Sequence, residues 1–87
     1  MKNNPKEIQL GRILTEHRRK RGITQEELAA YIGVSKASVS KWETSTTYPD
    51  ITLLPLLAAF FDISIDTLMG YEPQMTDEDI HRMYRTL

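Results

Sequence analysis

Lys36, Ala37, Ser40 and Lys41 bring two ammonium groups, a hydroxyl and a methyl together within six positions. Lysine donates to guanine O6 and N7, serine donates or accepts, and an alanine methyl meets the thymine methyl, so the four suit the edges of DNA bases. Gln25, Ser35, Ser38, Thr44 and Tyr48 surround them with further hydrogen-bonding groups. Groups of that kind contact phosphate oxygens, which set the register of a protein on a duplex while base contacts set its sequence. No comparable set exists for catalysis. His17 and His81 stand alone, without a second ligand at i+3 or i+4, and no glycine-rich loop could cradle a phosphate. The acidic run Asp77-Glu78-Asp79 is accounted for by the first turn of a helix, whose dipole favours negative charge. Neither an enzyme, nor a metal site, nor a cofactor is expected.

These side chains need elements to hold them. Apolar residues recur at helical spacing and no run alternates with period two, so the chain reads as all-α, with five short helices and a tail helix. The first helix is expected over about Lys6 to Lys20, with Leu10, Leu14 and Arg18 in one stripe and Gly22 as its stop. Thr24-Gln25-Glu26-Glu27 forms a capping box for the second, which ends near Ile32 at Gly33. Ser35 caps a third helix that turns Val39 and Trp42 inward and stops around Thr44. Thr52 is read as the cap of a fourth helix, Leu53 to Phe61, with Pro55 at its third position, and Ser64 as the cap of a fifth, Ile65 to Met69. After a linker, Tyr71-Glu72-Pro73-Gln74, Thr76 caps a last helix with Ile80, Met83, Tyr84 and Leu87 in one stripe.

Between residues 25 and 44, two helices and a tight turn form a bihelical corner. Ala29 is small where the second helix of the corner crosses the first; Gly33 makes the turn, and Leu28, Ile32, Val34, Val39 and Trp42 fill the inside. Around the axis of the third helix, at 100° per residue, Val39, Trp42 and Glu43 share one side. Ala37, Ser40, Lys41 and Thr44 share the other, with Lys36 at the N-terminal tip. Gln25 stands at the first turn of the second helix, where free backbone amides favour an anion.

Thr24-Gln25-Glu26-Glu27-Leu28-Ala29, Gly33-Val34-Ser35, Val39-Ser40-Lys41-Trp42-Glu43 and Pro49-Asp50 together resemble the lambda-repressor-like (Cro and phage repressor) helix-turn-helix family, over about residues 8 to 70. The resemblance implies a compact five-helix DNA-binding domain whose third helix enters the major groove, usually as a dimer on a two-fold-related operator. It also bears on Arg18, a charge on a core-facing stripe that needs a partner. In the resembling family an arginine and a glutamate at the positions of Arg18 and Glu43 form an internal ion pair, which leaves Arg19, Lys20 and Arg21 as a diffuse basic collar. Where the family often carries glycine, this chain has Ser45.

Charge and composition fit that picture. The 87 residues are 40% hydrophobic and 26% charged, enough for one small core and too few for two. The net charge of −1 hides an asymmetry: residues 1 to 48 hold nine Lys or Arg against five Glu, and residues 49 to 87 hold two Arg against seven acids. One half is built to meet an anion. With no cysteine, signal peptide or apolar span, a cytoplasmic protein with no membrane partner is expected. Residues 1–70 are read as the DNA-binding domain and 71–87 as a linker and amphipathic helix that could lead to a downstream effector domain. Double-stranded DNA and a second copy of the chain are the expected partners. The fourth helix has a core stripe of Leu54, Leu57, Ala58 and Phe61 plus a surplus of Leu53, Leu56 and Phe60, available to a dimer. A protein-interaction or antitoxin-type module on the same fold is the alternative, with another protein as its chief partner.

Overall fold

The computed structural model describes residues 8–70, and the expected tail helix from Thr76 and the linker before it lie outside them. Five α-helices follow in order, α1 (Leu10–Lys20), α2 (Gln25–Ile32), α3 (Lys36–Glu43), α4 (Leu54–Phe60) and α5 (Ile65–Leu68), with one 3-10 turn, Ile51–Leu53, leading into α4. The described residues contain no strand.

Local chemistry sets most of the boundaries. Thr24 Oγ1 accepts from the Glu27 amide at 3.0 Å while Glu27 Oε1 accepts from the Thr24 amide at 2.9 Å, closing the capping box of α2. Ser35 and Ser64 cap α3 and α5 with one such bond each, accepting from the amides of Ser38 and Thr67. Each helix is followed by one left-handed residue: Gly22, Gly33, Ser45, Asp62 and Gly70 in turn. At Gly33, φ of 91° lets the Val34 amide reach back to the Ala29 carbonyl at 3.0 Å, which makes the corner between α2 and α3.

α4 and α5 end one residue earlier than read, at Phe60 and Leu68, and two helix starts differ from the sequence reading. Gln9 is not helical, because its amide donates to the Met69 carbonyl at 2.9 Å; that bond ties the chain to the end of α5, and α1 begins only at Leu10 instead of near Lys6. Thr52 is not a cap. Asp50 takes that role: its Oδ1 accepts from the Thr52 amide at 2.9 Å and from the Thr52 hydroxyl at 2.8 Å, starting a 3-10 turn so that Pro55 falls in the first turn of α4. Thr52 has no amide to cap: Pro55, three residues on, lacks an N–H, and the Leu54 amide donates to the Ile51 carbonyl.

The core gathers one face from every helix: Leu10 and Leu14 of α1, Leu28, Ala29 and Ile32 of α2, Val39 and Trp42 of α3, Leu57 and Ala58 of α4, and Leu68 of α5. Complete burial of a leucine contributes about 1.5–3 kcal/mol. Leu53 and Phe60, read from sequence as surplus, are half-buried against this core. Tyr31 covers Phe60 at a ring-centroid distance of 4.4 Å, a contact between α2 and α4 that sequence spacing does not contain. Leu56 stays exposed, as does Ile51.

Candidate nucleic-acid interface

α3 buries Val39 and Trp42 against α1 and α2 and turns Lys36, Ala37, Lys41 and Thr44 outward, with Ser38 and Ser40 half-buried at the edges. Lys36, Ala37, Ser40 and Lys41 therefore lie along one outward side of a helix held from behind by its apolar residues. The tip of α3 is not uniformly positive. Lys36 shares an open groove with Thr24, Glu26, Glu27 and Ala30 at the start of α2. Glu27 is already engaged in the capping box, whereas Glu26 is exposed beside the lysine.

The surrounding hydroxyls have internal duties. Ser35 caps α3 and shares a hydrogen bond of 3.0 Å with Ser38 Oγ. Thr44 Oγ1 donates to the Ser40 carbonyl at 3.0 Å and lies 2.9 Å from Thr46 Oγ1. Tyr48 is exposed next to buried Pro49. In the basic collar, Arg19 and Lys20 are exposed, while the Arg21 guanidinium lies over the Phe60 and Phe61 rings at 5.2 and 5.6 Å from their centroids. His17 packs its ring 5.8 Å from that of Phe61.

Behind the exposed face lies an ionic node. Arg18 Nε donates to Glu43 Oε2 at 2.6 Å, Arg18 Nη2 donates to Glu43 Oε1 at 3.1 Å, and Arg18 Nη1 donates to the Ile23 carbonyl at 2.8 Å. The two side chains are only 13% and 5% exposed. Gln25 Nε2 donates to Glu43 Oε1 at 2.9 Å, so its side chain is directed inward. Burial alone would push the Glu43 carboxyl up, but the hydrogen bonds from Arg18 and Gln25 outweigh it and hold the group below the usual carboxylate range. The hydrogen bond to Glu43 holds the Arg18 guanidinium above its ordinary value.

Sequence reasoning missed Gly11. It is buried in α1, and a Cβ there would lie 2.7 Å from the Trp42 carbonyl oxygen and 2.9 Å from that of Glu43, so α1 meets the last turn of α3 backbone to backbone. Its only sequence signal was a glycine inside an otherwise helical stretch.

A family described as helix-turn-helix matches residues 14–68. The chain is 36% identical over 63 residues to the HTH-type transcriptional activator BcrR of Enterococcus faecalis, which covers 72% of this chain and 31% of that protein, so the chain spans about a third of this curated relative. Among solved structures, a transcriptional regulator from Listeria innocua superposes with a TM-score of 0.74 at 25% identity, covering 92% of this chain and 75% of that one. The P22 c2 repressor, solved with a synthetic operator, gives a TM-score of 0.68 at 32% identity, covering 72% of this chain and 96% of that one. With its bihelical corner at 25–44, its five-helix order and these matches, the chain belongs to the lambda-repressor-like helix-turn-helix family of Cro and phage repressor type.

Proposed function

We propose that this chain is the sequence-specific DNA-binding part of a transcriptional regulator, with α3 inserted in the major groove of an operator. The observation that carries the reading is the outward side of α3, where Lys36, Ala37, Ser40 and Lys41 project from a helix fixed by buried Val39 and Trp42. The likeness to the P22 c2 repressor, solved on a synthetic operator, supports it. In this reading those four residues read bases, and Ser35, Ser38, Thr44, Tyr48 and the main-chain amide of Gln25 hold the flanking phosphates. Two copies bind half-sites about one helical turn apart, because one recognition helix covers too little DNA for useful specificity.

A protein-interaction module is the second reading. It is favoured by Ile51 and Leu56, which are 77% and 43% exposed and offer apolar surface to another chain. Selection of bound sequences from random duplex DNA tests the choice. Enrichment of a two-fold-related motif, with affinity that falls steeply as salt rises, is expected. Failure to enrich any sequence would overturn the operator reading and leave the interaction module.

A further inference from the structure

We propose that Glu26 is a positioning residue for specificity: its carboxylate competes with DNA phosphate for the Lys36 ammonium, so that Lys36 adds to binding only where a guanine takes the place of that carboxylate. The inference rests on the operator-binding reading above and deepens it. Glu26 is the second residue of α2 and Lys36 the first of α3, so the two charges stand at the heads of the two helices of the corner. Both are exposed, and both line the open groove shared with Thr24, Glu27 and Ala30. The Glu27 carboxylate is occupied by the Thr24 amide. Neither Glu26 nor Lys36 has a hydrogen bond or an ion pair among the described residues, where the ion pairs are Arg12–Glu16 and Arg18–Glu43. Two opposite charges without other partners thus border one groove at the tip of the recognition helix.

A lysine ammonium is a compact charge on a flexible four-carbon stem, so it takes whichever acceptor lies within its sweep. In the major groove those acceptors are phosphate oxygens, present in every sequence, and guanine O6 and N7, present in few. A phosphate contact would raise affinity for all duplexes alike and erode discrimination. Glu26 offers the ammonium an exposed anion on the protein itself, so that moving to an exposed phosphate exchanges like for like. An exposed lysine–carboxylate pair is worth up to about fivefold. A lysine on its correct base is worth about fivefold or more, so guanine draws Lys36 from Glu26 where phosphate does not.

The test is duplex binding by the whole chain as a function of salt, on the selected site and on random DNA. Glu26→Gln keeps the size of the side chain and removes its charge. It should tighten random-duplex binding about threefold to fivefold, with a salt slope steeper by about one as Lys36 gains a phosphate. Affinity for the selected site should change less than about twofold, so discrimination falls. In a Lys36→Ala background, Glu26→Gln should change binding to either DNA less than about twofold. Equal tightening on both duplexes with Lys36 present would make Glu26 a plain repulsion of phosphate. An unchanged random-duplex affinity would make it only a favourable charge at a helix end. Either result, or a gain that persists without Lys36, overturns the proposal. If selection enriches no site, the operator reading fails by itself, and the salt slope on random duplex still decides whether Glu26 holds Lys36 from phosphate.

Discussion

A Cβ placed on Gly11 would stand 2.7 Å from the carbonyl oxygen of Trp42, inside the closest approach that real side chains show. The first turn of α1 therefore presses directly on the last turn of α3, and the absence of a side chain at Gly11 sets how deeply the recognition helix is seated. Gly11→Ala should destabilise the fold by about 1–3 kcal/mol, as overpacking does. Urea unfolding is the check. Ser45→Gly removes the nearby Ser45 Oγ but leaves both carbonyls in place, so in the Gly11→Ala protein it should regain no more than it gains in the parent.

Ser45 itself occupies a φ of 61°, with the Thr46 amide reaching back to the Lys41 carbonyl at 2.8 Å. A left-handed non-glycine residue costs about 1–2 kcal/mol. The greater freedom of glycine in the unfolded chain offsets about 0.5–1 kcal/mol of the gain from relieving it. Ser45→Gly alone should therefore raise stability by about 0.5–1 kcal/mol, read as a higher melting temperature. A lower one would mean that the serine hydroxyl holds the loop.

Breaking the largely buried Arg18–Glu43 pair on one side leaves a charge without its partner. Glu43→Gln should cost about 3–5 kcal/mol, whereas Arg18→Met combined with Glu43→Leu should recover most of it. Thermal melting of the three proteins distinguishes this pair from a surface ion pair, whose loss would change stability by about 1 kcal/mol at most.

Acid should undo the same node. Glu43 titrates in the folded state below its ordinary value of 4.5. Its unfolded form therefore binds protons first as pH falls, and the stability it contributes is fully present above about pH 4.5 and lost as pH drops through the lower folded value. Asp50, also held low by its bonds from Thr52, acts in the same direction. Unfolding free energy measured from pH 7 to 2 should decline below about pH 4.5, and more gently in the apolar Arg18→Met, Glu43→Leu protein.

On DNA, Lys36→Ala should cost about 1–3 kcal/mol on the selected site and much less on random duplex. Equal losses on both would make Lys36 a phosphate contact. Lys41→Ala, five residues further along the outward side of α3, offers the parallel measurement.

What was legible in the sequence was what a few adjacent residues decide. The Thr24–Glu27 box and the Ser35 and Ser64 caps each depend on a side chain and an amide three residues away, and the outward side of α3 follows from helical spacing alone. The misreadings came where two local solutions competed or where a distant element intervened. Asp50 took the capping role from Thr52, the end of α5 claimed the amide of Gln9, and Tyr31 covered Phe60. Gly11 and the inward turn of Gln25 were invisible for the same reason, since both are settled by α3, more than a dozen residues downstream.

The bond from Gln9 to Met69 joins the start of α1 to the end of α5, and Gly70 lies so near that a Cβ on it would fall 2.5 Å from the Cβ of Gln9. The five helices thus form a ring with a single seam. In a protein cut to residues 9–70, opening the exposed Thr46–Thr47 loop and joining Gly70 to Gln9 with a short linker would keep the packed faces of the described helices, as circular permutants of domains with neighbouring ends allow. The order of the helices along the chain is then separable from the surface they build.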